Sequence, residues 1–250
     1  MNENTMRSIE RGLAWCGPIF IVTFIYGFGY LGHNYPPPNM MAMSSLELVN
    51  DFYLPNPLIS VGMIMCATFG LFYMAWSCLL ASLLRNQDGS LSALSLIELA
   101  GGTLTGWLLA FCPAIWAACA MMAGELDPDV IKMAHVMTWY IFDCTYMITT
   151  FQMLGLGLYT VLNKRQTMFP EWAGWICIAI GVAFMTLVFM PFVTEGPFSV
   201  SGMWNFWIIF TAWLILFFGV YNYYVLHYLY STPDEQERAS GVVRPAMAAA

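Results

Sequence analysis

The sequence predicts an all-α polytopic membrane protein, a bundle of six transmembrane helices with both termini in the cytoplasm. Of its 250 residues, 60% are hydrophobic and only 9% are charged, whereas soluble domains carry about 25% charged residues. Six apolar segments each reach the roughly 20 residues that cross a bilayer. Because backbone groups find no water in hydrocarbon, these segments must be helical.

The six apolar segments form one transmembrane domain, residues 1–230. They are Leu13–Leu31, Leu58–Leu84, Leu91–Met121, Met133–Leu162, Trp172–Val193 and Met203–Leu229. The first segment is too long for a signal peptide and no cleavage site follows it, which favours a retained helix. Residues 231–250 are polar and then Ala-rich, and we expect a disordered cytoplasmic tail.

The basic residues orient the predicted bundle. Cytoplasmic loops carry an excess of Lys and Arg. With six spans, Lys132 alone falls on the outer side, and seven basic residues share the cytoplasmic side: Arg7, Arg11, Arg85, Lys164, Arg165, Arg238 and Arg244. The net charge of −7 and the scatter of the basic residues argue against nucleic-acid binding.

Two outer segments carry helix-start signals. Ser44 and Glu47 have the spacing of a capping box, and four apolar residues follow at helical spacing: Leu46, Val49, Phe52 and Tyr53. We predict a short amphipathic helix that lies on the membrane surface or covers the bundle. Asp127 before Pro128 resembles an N-cap and first helical residue, so the fourth span is predicted as one long helix.

Two carboxylates inside apolar segments are the main functional signal. Charges in hydrocarbon are costly and usually functional. Glu98 shares a helix face with Gly102, and Gly106 follows one turn later. Because such small residues let helices approach closely, Glu98 is predicted to face protein. Glu98 and Asp143 lie at similar depths from opposite sides, so their carboxylates are predicted within about 10 Å of each other along the membrane normal.

The residues around these acids predict a polar cavity that binds a proton or a ligand. The predicted site residues are Asp143, Glu98, Tyr140, Tyr146, Thr150, Thr105 and His135. His135 precedes Asp143 by about two turns, which suggests a proton path, although an interfacial histidine is the favoured interpretation. The alternative for both acids is that they only bond neighbouring helices and fix their packing.

No catalytic residue, cofactor or metal site is predicted. The three histidines lie at span ends and are not placed to hold a haem between two helices. The seven cysteines lie in apolar segments without a CxxC pair, which argues against zinc. Thioethers of Met40, Met41 and Met43 leave a minor alternative, a Cu(I) site.

Loop and belt motifs give the chain a family resemblance. Pro36, Pro37 and Pro38 precede a Ser-x-x-Glu-Leu motif at Ser44 and then Phe52-Tyr53. The second motif comprises Gly196, Pro197, Phe198, Gly202, Trp204, Phe206 and Trp207. In these features, over most of its length, the chain resembles a family of uncharacterised bacterial polytopic integral membrane proteins. The resemblance implies a bacterial inner membrane and no activity.

Four functions remain open at this point. The first is binding or transport of a small hydrophobic or weakly acidic molecule by a chain embedded in the lipid bilayer, with proton coupling as one form of it. A homodimer is expected in that case because six spans are few for a transporter. The second is a non-catalytic subunit or assembly partner of a larger membrane complex. A lipid enzyme is less favoured because His135 with Asp143 is its only candidate pair. A receptor-like sensor is the fourth.

Overall fold

The chain forms an all-α bundle in a computed structural model that describes residues 3–86, 88–163 and 168–231. The structure is 78% helical and its described residues contain no strand. The predicted tail, residues 231–250, lies outside the described residues except for Ser231, as do four basic residues that orient the bundle: Lys164, Arg165, Arg238 and Arg244.

Eight helices cover most of the described residues. Several of them pass directly from α-helical turns into π-helical or 3-10 turns. Their bounds are α1, Glu3–Phe24 with π-helical Ile25–Leu31; α2, Ser45–Glu47 with π-helical Leu48–Tyr53; α3, Ile59–Leu83; α4, Ala93–Met122; α5, Pro128–Cys144; α6, Met147–Leu162; α7, Glu171–Phe184 with 3-10 Met185–Phe192; and α8, Met203–Tyr230, in which π-helical Met203–Phe210 and Ala212–Gly219 precede α-helical Val220–Tyr230.

Five helices of the described residues are long and apolar enough to cross a membrane. They are Thr5–Leu31, Ile59–Leu83, Ala93–Met122, Glu171–Phe192 and Met203–Tyr230. These five agree with five of the predicted segments, and the first helix begins earlier than predicted. A membrane protein built of helices is therefore the class that the fold defines.

The predicted fourth span, Met133–Leu162, is wrong as one continuous helix. α5 and α6 contain 17 and 16 residues, each shorter than the roughly 20 that a span needs. The break follows Asp143, whose carbonyl accepts from the backbone N–H groups of Thr145 and Tyr146. The Thr145 hydroxyl also donates to the Ile141 carbonyl at 2.7 Å. Such side-chain bonds compete with the regular helix ladder.

The helix predicted at Ser44 is present and begins with a capping box. The Ser44 hydroxyl accepts from the Glu47 backbone, and the Glu47 carboxylate accepts from the Ser44 backbone at 2.6 Å. The bond from the Ser44 backbone N–H, followed by that from its hydroxyl, lowers the pKa of Glu47 below its usual value. Leu48 is buried while Leu46, predicted on the apolar face, is exposed.

Polar contacts attach this helix to α5. The Ser45 hydroxyl donates to the Asp129 carboxylate, and Lys132 Nζ donates to the Met43 carbonyl at 2.5 Å. Asp127 caps α5, as predicted, by accepting from the Asp129 backbone. The short helix thus rests on the start of α5, while its position relative to a membrane surface stays a prediction.

The long helices close into a ring. α3 packs between α1 and α4, α4 packs on α5 and α6, α7 packs on α6, and α8 returns to α1 and α7. Glycines allow the closest approaches: a Cβ at Gly70 would strike the Leu109 backbone of α4, and one at Gly155 would lie 2.8 Å from the Leu94 carbonyl. Arg11 closes the ring by donating to the Leu229 carbonyl at 3.1 Å.

Candidate functional site

Glu98 lies in a hydrogen-bond network between α3, α4 and α6. Its side chain is fully buried, with 0% exposure, as the small residues on its helix face predict. Ser77 Oγ donates to Glu98 Oε1 at 2.7 Å, and Gln152 Nε2 donates to the same oxygen at 3.1 Å. The Tyr73 hydroxyl in turn donates to Gln152 Oε1 at 2.6 Å. Three neighbouring helices are therefore joined through one carboxyl group.

The glycines of α4 make this network possible. A Cβ at Gly102 would overlap Ser77 Oγ and lie 2.6 Å from Gln152 Nε2, and one at Gly101 would lie 2.6 Å from the Gln152 backbone nitrogen. The second carboxyl oxygen, Glu98 Oε2, has no hydrogen-bond partner among the described residues. Glu98 does not line any of the three best-defined cavities of the described residues, and its recorded side-chain bonds join α4 to α3 and α6.

Asp143 lies at the end of α5 and lines a small cavity of about 40 Å³. The carboxyl group is buried, with 7% exposure, and Asn205 Nδ2 of α8 donates to Asp143 Oδ2 at 3.4 Å. This partner is an amide and not a cation. Five polar residues share the cavity wall: Thr105, Asp143, Tyr146, Thr149 and Asn205. We call this space the Asp143 cavity.

Two hydroxyl groups complete the polar wall. Thr105 Oγ1 and Thr149 Oγ1 lie 2.9 Å apart and share a hydrogen bond across α4 and α6. The rest of the wall is apolar and includes Phe142, Phe184 and Trp213. A volume of about 40 Å³ has room for roughly one to three water-sized groups, so the cavity admits an ion or a headgroup but not a whole ligand.

The remaining predicted residues do not join Asp143. Of the other predicted residues on α5, on α6 and in the turn between them, only Tyr146 lines the cavity. Thr150 Oγ1 donates to the Gly181 carbonyl at 3.1 Å, and the Tyr140 hydroxyl donates to Met41 Sδ at 3.6 Å. Glu98 and Asp143 have different hydrogen-bond partners, so the single predicted site is two separate networks.

His135 forms a third polar group near the short helix. Trp139 Nε1 donates to His135 Nε2 at 3.1 Å, and the Tyr53 hydroxyl lies 2.5 Å from His135 Nδ1. Because the indole N–H only donates, Nε2 must accept and the proton of a neutral ring lies on Nδ1. Neither recorded partner is Asp143, so this geometry gives no support to the proton path or the enzyme pair suggested by the sequence.

The sequence did not single out Ser77, Thr149 or Asn205. Each is polar and buried inside an apolar segment, which is the only signal that marks it. Met40 is fully buried and Met41 accepts from Tyr140, so the methionines of the possible copper site serve packing. A search of the described residues for groups of His, Cys, Asp and Glu that hold a metal finds none.

A large apolar groove lies next to the Asp143 cavity. It measures about 1040 Å³ and runs between α1 and α8. Its walls include the π-helical segments Ile25–Leu31 and Met203–Phe210, and His33, Tyr35 and Tyr30 lie at its end. Because α1 and α8 are both candidate membrane spans, the walls of the groove belong to the apolar part of the bundle.

Phe210 separates the groove from the cavity. This one side chain lines both spaces. Its ring centroid lies 6.2 Å from that of Phe28 in the groove wall and 6.3 Å from that of Phe142 in the cavity wall. Phe210 is thus the one residue that the walls of these two spaces share.

Fold and site together define a helical membrane protein with a buried acid beside an apolar groove. Comparison with models of protein families, with curated proteins and with solved structures finds no match for this chain. The resemblance to bacterial integral membrane proteins therefore stays a prediction.

Proposed function

We propose that this protein binds or transports a small hydrophobic or weakly acidic molecule, with Asp143 as the polar end of the site. The observation that carries the proposal is the Asp143 carboxyl group, which is buried at a helix break, lines a small cavity and accepts its one recorded hydrogen bond among the described residues from an amide. Buried acids inside membrane helices are usually functional, and discontinuous helices recur at transporter sites.

The sizes of the two spaces suggest how such a molecule is held. The Asp143 cavity has room for a headgroup, and the neighbouring groove of about 1040 Å³ has room for an apolar body. Ligand sites are commonly apolar with a few convergent polar groups. We propose that the molecule lies in the groove and reaches Asp143 when Phe210 turns aside. A protonated Asp143 would donate to an acidic headgroup, which is the basis for proton coupling.

We further propose that α5 and α6 cross the membrane together as one broken span, the fourth of six in chain order. Their combined length from Pro128 to Leu162 exceeds one span. Six crossings put Arg7, Arg11 and Arg85 on one side, which the positive-inside rule makes cytoplasmic. A bacterial inner membrane and a homodimer belong to the same proposal.

Ligand retention tests the proposed site. The wild type would be purified in mild detergent, extracted with organic solvent and examined by mass spectrometry, beside Asp143→Asn and the matched control Asp51→Asn, which makes the same change at an exposed position. We expect a retained molecule in the wild type and the control and its loss in Asp143→Asn. Stoichiometric partner proteins with no retained molecule would instead favour the alternative, a non-catalytic subunit of a larger complex.

A further inference from the structure

We propose that the Asp143 cavity binds one sodium ion. This inference deepens the proposed function, on which it rests for the position of Asp143 inside the membrane. The protonated form of Asp143 is the one proposed to donate to an acidic headgroup, whereas the sodium ion belongs to the ionised form, because an ionised carboxyl group in a low-dielectric interior needs a positive partner. Asn205, its recorded partner, is uncharged, whereas Arg11, Arg85 and Lys132 donate to backbone carbonyls elsewhere.

The atoms around the cavity are oxygen ligands of the kind that hard cations prefer. Carboxylate, hydroxyl and amide oxygens come from Asp143, Thr105, Thr149 and Asn205, and such ligands suit hard ions rather than transition metals. The absence of a His, Cys, Asp and Glu group among the described residues agrees with this class. The bond from Asn205 is long, at 3.4 Å, and turning the amide presents its oxygen instead.

Charge and volume select the ion. One carboxylate balances one positive charge, so a divalent ion would leave a net charge in hydrocarbon. A cavity of about 40 Å³ has room for one dehydrated monovalent ion with one water. Of the two common ions of this charge, sodium is the smaller and harder and suits these oxygen ligands better. The helix break beside Asp143 is also the kind of feature at which transporters with broken helices hold sodium.

Thermal unfolding of the full chain in lipid nanodiscs tests the sodium site. At pH 8 and constant ionic strength, NaCl would replace choline chloride, with KCl as a second series. An ion that binds the folded state raises Tm as its concentration increases, until the site is saturated. We expect NaCl, but not KCl, to raise Tm. An equal response to both salts, or a Tm that depends on pH but not on Na⁺, would overturn the proposal.

Variants assign the response to the cavity. Asp143→Asn should lose it, whereas Glu98→Gln, a buried acid outside the cavity, should keep it. If Asp143→Asn does not fold, Thr149→Val and Thr149→Ser test the same assignment. Thr149→Val, which removes the hydroxyl group, should weaken the Na⁺ affinity roughly tenfold or more, whereas Thr149→Ser, which keeps it, should not. A response that persists in Asp143→Asn, or equal affinities in the two Thr149 variants, contradicts the site.

The sodium site and the proposed function fail separately. Retention of the small molecule is measured on wild type in choline chloride, without sodium. A molecule retained without any Na⁺ response rejects only the sodium site. A Na⁺ response without a retained molecule rejects only the ligand-binding function.

Discussion

Asp143 and Glu98 are both buried acids, but their surroundings differ. Glu98 Oε1 accepts two hydrogen bonds from neighbouring helices, from Ser77 and Gln152. Asp143 accepts one long bond and faces a cavity. A buried group that bonds two neighbouring helices fixes their packing, as Glu98 does through Oε1 although its Oε2 has no partner among the described residues. A buried group that lines a cavity can bind something. The distinction depends on the neighbours of each acid rather than on its depth.

His135 carries a residue-scale prediction about its protonation. Trp139 donates to Nε2, so the ring should be a single neutral tautomer with its proton on Nδ1. The ¹⁵N chemical shifts of selectively labelled histidine measure this directly. His33 and His227 serve as internal comparisons within the same spectrum. A proton on Nε2 of His135, or a charged ring, would contradict the assigned hydrogen bonds.

At the scale of elements, glycines and one helix break decide where polar groups meet. The glycines of α4 let α3 and α6 reach Glu98, and the break after Asp143 turns Tyr146 toward the cavity. Pro113 lies within α4 without ending it, while the break between α5 and α6 contains neither glycine nor proline. The break between α5 and α6 is therefore set by side-chain and backbone hydrogen bonds.

Gly102→Ala tests the packing of α3 on α4. The new Cβ would overlap Ser77 Oγ, so the bond from Ser77 to Glu98 should be lost. Overpacking of this kind typically costs about 1–3 kcal/mol, which should appear as a lower Tm in detergent. Gly12→Ala is the matched control, since its Cβ meets nothing within 4 Å; the helix preference of alanine predicts no loss there. Equal Tm values for the two variants would contradict the close approach.

Phe210→Ala tests the partition between the groove and the Asp143 cavity. Removal of the ring should join the two spaces, so the retained molecule should dissociate faster while Asp143 still binds it. Release into an excess of empty nanodiscs measures this rate. Phe192→Ala, which changes a side chain that is 82% exposed, is the control. An unchanged rate in Phe210→Ala would mean that the molecule does not pass this residue.

At the scale of the whole molecule, α1 and α8 meet at one end and part at the other. Arg11 donates to the Leu229 carbonyl, and a Cβ at Gly17 would strike the Asn222 side chain, so the two helices are in close contact there. Toward Leu31 and Phe206 the groove separates them. The ring of helices is therefore closed at the end that holds Arg11 and Leu229 and open on the side of the groove.

The topology of α5 and α6 is the prediction at this scale. If they cross the membrane as one broken span, Glu125 and Asn163 lie on opposite sides, and Asn163 shares its side with Asn86. Fusions at these three positions to reporters active on only one side of a membrane would show it. Glu125 and Asn163 on the same side would limit the chain to the five crossings of its long helices.

Of the six spans predicted from hydropathy, five are long helices. They were predictable because any helix that crosses a bilayer needs a long apolar run, whatever its neighbours are. The capping box at Ser44 and the Asp127 cap were also predictable, since each acts within four residues. The Asp143 cavity was not, because Asn205 lies 62 residues away from Asp143 and no periodicity links α5 to α8. The break after Cys144 escaped prediction because its signal is a hydroxyl bond rather than a glycine or proline.

The most direct test of the central claim compares two buried acids in one experiment. Native mass spectrometry would measure the fraction of protein that retains a bound molecule in wild type, Asp143→Asn and Glu98→Gln. Both variants exchange a buried carboxyl for an amide, but only Asp143 lines a cavity. We predict that Asp143→Asn loses the molecule and Glu98→Gln keeps it. Equal retention by Asp143→Asn and wild type would contradict the proposed site.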